Sequence, residues 1–142
     1  MIQHIIDGII SKIRTKYDKS FRIYTESVEQ GLIEPCFSIL CLNPSGEREL
    51  GNRYKRYFPC MITYFPSSDE PIAECNAVCE ELLGLLNDID TEVGTIHTSG
   101  IPSGQVIDGN LQFSIQYDLF ALLQVEDGEL LEDLSIDGRV VQ

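Results

Sequence analysis

Three soft side chains in the middle of the chain could together bind a metal ion. Cys75 and Cys79 are four residues apart, so they would share one face of a helix, and His97 could supply a third ligand. Structural zinc sites use closer cysteine pairs and a fourth ligand, neither of which is evident in the sequence. We therefore expect free thiols in a reducing compartment, with no metal or other cofactor. The five cysteines are Cys36, Cys41, Cys60, Cys75 and Cys79.

The histidines, serines and carboxylates show no familiar catalytic spacing. A hydrolytic triad would place His97 beside a serine or cysteine and an acid, but the sequence has no G-x-S-x-G motif. The Gly100–Gly104 segment lacks the Lys-Ser/Thr ending of a phosphate-binding loop. Glu80 and Glu81 are adjacent, so they would point apart on a helix. These observations predict no enzymatic activity.

Basic and aromatic residues alternate in one segment that could contact nucleic acid. The segment runs from Arg53 to Tyr57 and follows Arg48, and such a pattern is typical of surfaces that hold phosphates and stack on bases. The formal net charge of the chain is −13, which repels a polyanion. We therefore interpret these basic residues as partners of acids in the same subunit or in a neighbouring one.

Charge is divided very unevenly along the chain. Residues 1–56 contain nine basic and seven acidic residues, whereas residues 57–138 contain sixteen acidic residues and no basic one. If the fold keeps these segments on different faces, a weakly basic surface and a strongly acidic one attract each other between copies. That arrangement favours a head-to-tail contact, which closes into a ring or continues as a filament. The alternative is an acidic protein whose surface is simply short of lysine.

The first part of the chain reads as a helix followed by strands. Isoleucines recur at steps of three and four over Ile2–Ile13, which predicts an amphipathic helix that ends near Tyr17. Strands are expected at Phe21–Thr25 and Cys36–Leu42. The second of these is nearly all apolar, so we expect it to be covered on both faces. A turn at Asn43–Gly46 follows.

The middle of the chain combines a strand and a second helix. Arg53–Phe65 is aromatic and β-branched, but Pro59 cannot donate a hydrogen bond, so the strand should lie at a sheet edge or be bulged there. The helix begins after Ser68 or Asp69, with Pro71 in its first turn. Its predicted buried residues are Ile72, Cys75, Cys79, Leu82, Leu86 and Ile89, with Glu74, Glu80 and Glu81 facing outward.

The last part of the chain predicts a hairpin and a long strand. A loop at Gly100–Gly104 precedes the dipeptide Asp108-Gly109, which suits a tight primed turn. Apolar and polar residues then alternate over Leu111–Leu119, as in a strand with one wet face. Residues 119–123 are apolar on both faces, so a neighbour should cover them. Residues 126–142 are expected to form a partly ordered acidic arm.

Together these elements predict the α+β class. We expect a single domain over residues 1–125, with two helices packed on one face of a mixed or mainly antiparallel sheet of about four to five strands, followed by the arm at 126–142. No apolar run approaches the roughly 18 residues needed to cross a bilayer. The opening residues also lack the unbroken apolar stretch of a signal peptide. We therefore expect the chain to stay in the cytoplasm.

Several short segments, taken in order, resemble one family of viral proteins. Their sequence, order and spacing are similar to those of bacteriophage and prophage tail terminator proteins, also called tail completion proteins, and the likeness runs from about Ile2 to Val125. The segments are Ile23–Leu32, Glu34–Phe37, Leu42–Pro44, Gly51–Tyr54, Tyr64–Pro66, Asp108–Phe113 and Tyr117–Asp118.

The resemblance implies a structural role without catalysis or cofactors. Proteins of this family have a compact α/β fold and form a ring, commonly a hexamer, on the last ring of tail-tube subunits. The ring stops tube growth and offers the surface that meets the head connector protein, and DNA passes through without specific binding. The expected locations are therefore the host cytoplasm during assembly and the virion tail afterwards.

A ring needs two unlike complementary patches on each subunit, and the sequence offers candidates for both the contact and the central hole. The contact would join basic residues to acids of the second helix and of the arm, supported by apolar strand-edge residues. An acidic inner wall would let DNA slide. The interface candidates are Arg48, Arg53, Lys55, Arg56, Leu119, Phe120 and Leu122, and the lumen candidates are Glu74, Glu81 and Asp118.

Three other functions remain open on the sequence alone. The first is a head–tail joining protein or another neck component of a phage. The second is an acidic DNA mimic that occupies a host nuclease or repressor. The third is an enzyme or small-molecule binder that uses the neighbourhood of Cys75, Cys79 and His97.

Overall fold

A computed structural model gives the fold and describes residues 1–26, 31–126 and 129–133, with side chains as far as Ala121. The two helices are α1 (Ile2–Arg14) and α2 (Pro71–Leu85). The strands are β1 (Arg22–Tyr24), β2 (Cys36–Cys41), β3 (Ser45–Arg48), β4 (Arg53–Phe65), β5 (Asp88–Thr91), β6 (Gly94–Ile107), β7 (Asn110–Glu126) and β8 (Glu129–Asp133).

The strands form one mixed sheet with β4 and β7 at its centre. The order is β1-β2-β4-β7-β6-β5, with β3 added to β4 and β8 added to β7. Only the β1–β2 pairing in the described sheet is parallel. Both helices contribute to one buried core with the same face of the sheet. The α+β class is confirmed. The described sheet has eight strands, whereas about four to five were predicted, because β3, β5 and β8 are too short to show an alternating pattern in the sequence.

Helix α1 forms because its isoleucines make one apolar stripe. Ile5, Ile9 and Ile13 are fully buried. Burying each such side chain stabilises the fold by about 1.5–3 kcal/mol. Lys12 and Arg14 lie in the last turn, where cations interact favourably with the helix dipole. Neither helix of the described chain has the length and apolar character that a membrane crossing requires.

Strand β7 alternates as the sequence predicts. From Leu111 to Ala121 the odd-numbered side chains point into the core, and the even-numbered ones lie on the other face. The Tyr117 hydroxyl donates a hydrogen bond of 2.6 Å to the carbonyl of Leu86, which satisfies an acceptor at the end of α2. The buried side chains of β7 are Leu111, Phe113, Ile115, Tyr117, Leu119 and Ala121.

Strand β4 is central, so the prediction of an edge or bulged strand is wrong. The Pro59 carbonyl accepts a 2.7 Å hydrogen bond from the Leu42 N–H, so the backbone of Pro59 faces β2 and β3 and not β7. On that side the partner of β4 changes, because β2 pairs with residues 60–65 and β3 with residues 54–57. The missing N–H of Pro59 therefore falls at the junction of two neighbours and costs no bond to β7.

The predicted loop at Gly100–Gly104 belongs to β6. The pairing of β6 with β7 shifts register between Ser99 and Ser103, so the strand continues through an irregularity of the bulge type. The hairpin after it is confirmed, because Asp108 and Gly109 have φ of 54° and 80°, as a type I′ turn requires.

Four of the six residues predicted to be buried around helix α2 are fully buried, namely Cys75, Leu82, Leu86 and Ile89, although Ile89 lies in β5. Ile72 is 62% exposed and Cys79 is half-buried, while Val78 faces the core. The N-cap residue is Glu70, and neither Ser68 nor Asp69 holds that position. Helix α2 packs closely over β6, where a Cβ on Gly104 would lie 2.5 Å from the Cys79 sulfur.

The sheet extends beyond residue 125, where the acidic arm was expected. Residues 129–133 form β8, which pairs with β7 from Leu122 to Glu126. That segment is therefore strand. The rest of the predicted arm, residues 127–128 and 134–142, lies outside the described residues.

Candidate assembly surfaces

The histidines and cysteines do not form a chemical centre in the described structure. His97 Nδ1 lies 3.8 Å from the Asp88 carboxylate. The Cys75 thiol donates a hydrogen bond of 3.6 Å to the Gly109 carbonyl. Within the described ranges, no group of three or more His, Cys, Asp or Glu side chains could hold a metal ion. Within the described residues, Cys75, Cys79 and His97 therefore do not form the metal site on which the third alternative function, an enzyme or small-molecule binder, would depend.

At one end of the sheet the central strands pair with β3 and β8 and form a four-stranded region, which we call the ribbon. It comprises β3, residues 53–58 of β4, residues 117–126 of β7, and β8. The helices pack on β2, β4, β5, β6 and β7. Leu50, in the turn between β3 and β4, is 90% exposed. The ribbon carries all four basic interface candidates, Arg48, Arg53, Lys55 and Arg56.

One face of the ribbon holds Arg53, Lys55, Asp118 and Phe120 next to one another. The Lys55 ammonium lies 3.2 Å from the Asp118 carboxylate, and their hydrogen bond raises the pKa of Lys55. The Arg53 guanidinium lies 4.2 Å from the centre of the Phe120 ring, in cation–π contact. Asp118, a lumen candidate, and Lys55, an interface candidate, are therefore partners on one surface.

The opposite face of the ribbon carries the other two basic candidates. The Arg56 guanidinium lies 5.1 Å from the centre of the Phe58 ring. Arg48 donates from Nε to the Gly51 carbonyl at 3.1 Å. Leu119, predicted to contact a neighbouring subunit, is 1% exposed and packs in the core of its own chain. The side chain of Leu122 lies outside the described part.

The two charged halves of the sequence meet within the fold, so the surface is less divided than the sequence predicts. Lys12 in α1 lies 3.6 Å from the carboxylate of Asp88, and Lys16 lies 3.7 Å from that of Glu81. Because β8 pairs with β7, the acids of residues 129–133 belong to the same ribbon as the basic residues. Opposite charges attract within one chain as they do between chains.

The acids at the start of α2 lie at the other end of the sheet from the ribbon. Asp69 and Glu70 are exposed just before the helix. Glu74 holds this end of α2 to the end of β4, because the Tyr64 hydroxyl and the N–H groups of Ser67 and Ser68 all donate to its carboxylate. The Glu74 carboxylate therefore stabilises the fold through these hydrogen bonds, whereas Glu81 is exposed.

The Glu74 contacts predict a stability that depends on pH. Burial raises the pKa of Glu74, but the hydrogen bonds from Ser68, Tyr64 and Ser67 outweigh it, and the net pKa is below 4.5. A carboxyl with a lowered folded pKa stabilises the fold above its unfolded pKa, and this contribution is lost as the pH falls through the folded pKa. We expect Glu74→Gln to lower the free energy of unfolding by about 1 kcal/mol at neutral pH.

Urea unfolding at several pH values tests this expectation. The difference between Glu74→Gln and the unaltered protein should shrink as the pH falls below 4.5. Glu80→Gln is the matched control, because Glu80 is an exposed acid on the same helix. A constant difference across this range would contradict the role of the Glu74 carboxylate.

The sheet face opposite the helices carries an apolar patch that the sequence does not predict. This patch, which we call the helix-free patch, comprises Leu40, Leu42, Met61 and Ile101, and Ile101 is 93% exposed. A depression of about 280 Å³ on this face is lined in part by Leu42, Met61 and Ile101. The Cys36–Leu42 run was expected to be covered on both faces, but Leu40 is 38% exposed. The continuous apolar run in the sequence was the signal that could have revealed this patch. Such a run is equally typical of a strand that another molecule covers on one face.

The chain matches a known protein family over most of its length. A family model described as "Phage tail terminator protein" matches residues 4–129. The matched range includes most of α1 and all of the elements from β1 to β7. A comparison with the curated proteins gives no match.

Proposed function

Because the chain belongs to the phage tail terminator family, we propose that it forms a hexameric ring that caps the tail tube, stops tube polymerisation and provides the surface for the head connector protein. The observation that carries this proposal is the family match over residues 4–129, which spans nearly the whole described fold. The role is structural, without catalysis or a cofactor. Assembly takes place in the host cytoplasm, and the finished ring belongs to the virion tail.

The positions of the ribbon and of the α2 acids support a head-to-tail contact. Arg53 in the ribbon and Tyr64 beside the start of α2 occupy opposite ends of β4, roughly 35 Å apart along the strand. Two unlike patches at opposite ends of a subunit are what a closed ring of identical copies needs. We assign the basic side chains of the ribbon, around Arg53 and Arg56, to one side of this contact and Asp69 and Glu70 to the other.

Apolar contacts provide most of the free energy in this assembly. An exposed ion pair contributes about 0–1 kcal/mol, so the charges orient the subunits and do not hold them alone. Leu50 supplies exposed apolar surface at the tip of the ribbon. Phe120 is half-buried beneath Arg53 and adds apolar surface beside it.

The ring encloses a channel through which DNA passes. Of the three lumen candidates, Glu81 keeps an exposed carboxylate, with Lys16 3.7 Å away. Glu74 is held by its hydrogen bonds and Asp118 by Lys55. We therefore assign the inner wall to the outer face of α2 around Glu81, where negative charge repels the duplex and lets it slide.

Tail length measured by electron microscopy tests the function. A phage that lacks this gene should produce tubes much longer than normal and without heads, because nothing stops polymerisation. Supplying the protein from a plasmid should restore the normal length. Tails of normal length that fail to join heads would instead identify a head–tail joining protein and contradict the proposal.

A further inference from the structure

Two cysteines lie directly opposite each other on neighbouring strands. Cys41 of β2 and Cys60 of β4 are partners in the antiparallel register. The next pair along, Leu42 and Pro59, is joined by the hydrogen bond from the Leu42 N–H to the Pro59 carbonyl. Because hydrogen-bonded and non-hydrogen-bonded pairs alternate along an antiparallel ladder, Cys41 and Cys60 form a non-hydrogen-bonded pair.

The geometry of such a pair suits a disulfide. In a non-hydrogen-bonded pair the Cα atoms are about 4.5 Å apart and the side chains lie close together on one face. Disulfides span Cα separations of roughly 4.4–6.8 Å. Cys60 belongs to the buried core, and the partly buried Cys41 packs against that same core. All five cysteines are free in the structure.

We infer that Cys41 and Cys60 form a redox-sensitive dithiol that closes to a cross-strand disulfide when it meets an oxidising disulfide such as glutathione disulfide. The Cys41 thiolate attacks one sulfur of glutathione disulfide, breaks its S–S bond and releases one glutathione thiolate. Cys60 then loses its proton to solvent and attacks the Cys41 sulfur, which releases the second glutathione thiolate. Two protein thiols are oxidised, and one glutathione disulfide is reduced to two glutathione molecules that take up the two protons.

Exposure and acidity assign the order of these steps. Cys60 is 2% exposed, whereas Cys41 is half-buried and can be reached from solvent. Burial raises the pKa of Cys60 to about 12. Burial also raises the pKa of Cys41, but the neighbouring Cys60 thiol partly offsets this rise. Cys41 is therefore the attacking thiol, and closure should be faster at alkaline pH because the thiolate is the reactive form.

The bond joins β2 to β4 beside Pro59, where the partner of β4 changes. Closing the loop between residues 41 and 60 restricts the unfolded chain and should raise the Tm by roughly 5–10 °C. A reducing cytoplasm keeps such thiols open, and an oxidising medium outside the cell closes them. A tail protein would make that passage when the host lyses, a consequence that rests on the proposed function, whereas the disulfide itself does not.

Mass spectrometry of the folded, purified protein tests the inference. The protein is incubated with glutathione disulfide, quenched with a thiol-alkylating reagent, and analysed intact and after proteolysis. We expect the loss of two hydrogen atoms, one cross-linked peptide pair joining Cys41 to Cys60, and three thiols that become alkylated after denaturation. The accompanying rise in Tm should disappear when dithiothreitol is added.

Matched variants separate this pair from the other thiols. Cys41→Ser and Cys60→Ser should abolish the cross-link and the rise in Tm, while Cys79→Ser, at another half-buried cysteine, should leave both unchanged. A stable glutathione adduct on Cys41 without closure would overturn the inference. So would a cross-link between a different pair in the unaltered protein. The experiment needs neither a ring nor a tail, so its outcome is independent of the terminator function.

Discussion

The variant Arg53→Glu/Arg56→Glu should be a monomer under conditions in which the unaltered protein forms rings. The two substitutions place carboxylates on both faces of the ribbon, which the proposed contact presents to Asp69 and Glu70 of the neighbouring subunit. Juxtaposed like charges cost several kcal/mol, so the local attraction to Asp69 and Glu70 becomes repulsion at every contact around the ring. Light scattering at about 0.1 M salt, where screening is moderate, measures the change in mass.

The charge change alone must be excluded as the cause. Lys19→Glu/Arg22→Glu alters the net charge by the same amount, and both of these residues are exposed outside the ribbon. This control should keep the ring. Arg53 also stacks on Phe120 within the subunit, a contact of about 0.5–1 kcal/mol, so thermal unfolding must show that the reversed variant remains folded.

A charge swap tests the assigned partners directly. Adding Asp69→Lys and Glu70→Lys to the reversed chain restores opposite charges across the contact and should restore the ring. Glu70 is the N-cap of α2 but makes no capping hydrogen bond through its side chain, so the substitution removes no cap. A reversed variant that still forms rings of unchanged size, or a swap that fails to recover them, would reject this contact.

Phe37→Ala should remove the largest share of stability of any single substitution that we consider. Phe37 is fully buried in β2, with the Tyr17 and Tyr64 rings at 5.1 and 4.9 Å between centroids. The change leaves a cavity between α1, β1 and β4 and breaks these ring contacts. Truncating a buried phenylalanine costs about 3–5 kcal/mol, a large part of the 5–15 kcal/mol that stabilises a typical domain.

Urea or thermal unfolding followed by circular dichroism measures this loss. Leu50→Ala is the control, because Leu50 is 90% exposed and its truncation should change the free energy of unfolding by less than about 0.5 kcal/mol. Phe37→Leu retains more of the volume and should fall between the two. A loss below about 1 kcal/mol for Phe37→Ala would mean that the aromatic cluster is not part of a close-packed core.

The sequence predicts the parts of this fold that depend on local patterns. The isoleucine stripe identifies α1, the alternation over Leu111–Leu119 identifies β7, and Asp108-Gly109 identifies the hairpin. Each signal lies within a single element and follows directly from the geometry of a helix, strand or turn. The α+β class follows from them.

The features that the sequence does not predict depend on what an element packs against. Pro59 suggests an edge strand, and only the meeting of β2 and β3 beside it permits a central one. Leu119 looks like a contact residue until the rest of the core encloses it. Lys55 and Asp118 are 63 positions apart in a chain of 142, so only the β4–β7 register shows that they are partners.

The junction at Pro59 also governs how the protein responds to mechanical force. Interstrand hydrogen bonds run perpendicular to the strands, so a pull along β4 and β7 strains their shared bonds in parallel and is resisted strongly. A sideways push on the ribbon acts instead where β2 ends and β3 begins, and there only β7 supports β4. We therefore expect the sheet to bend at this junction before it bends elsewhere along β4.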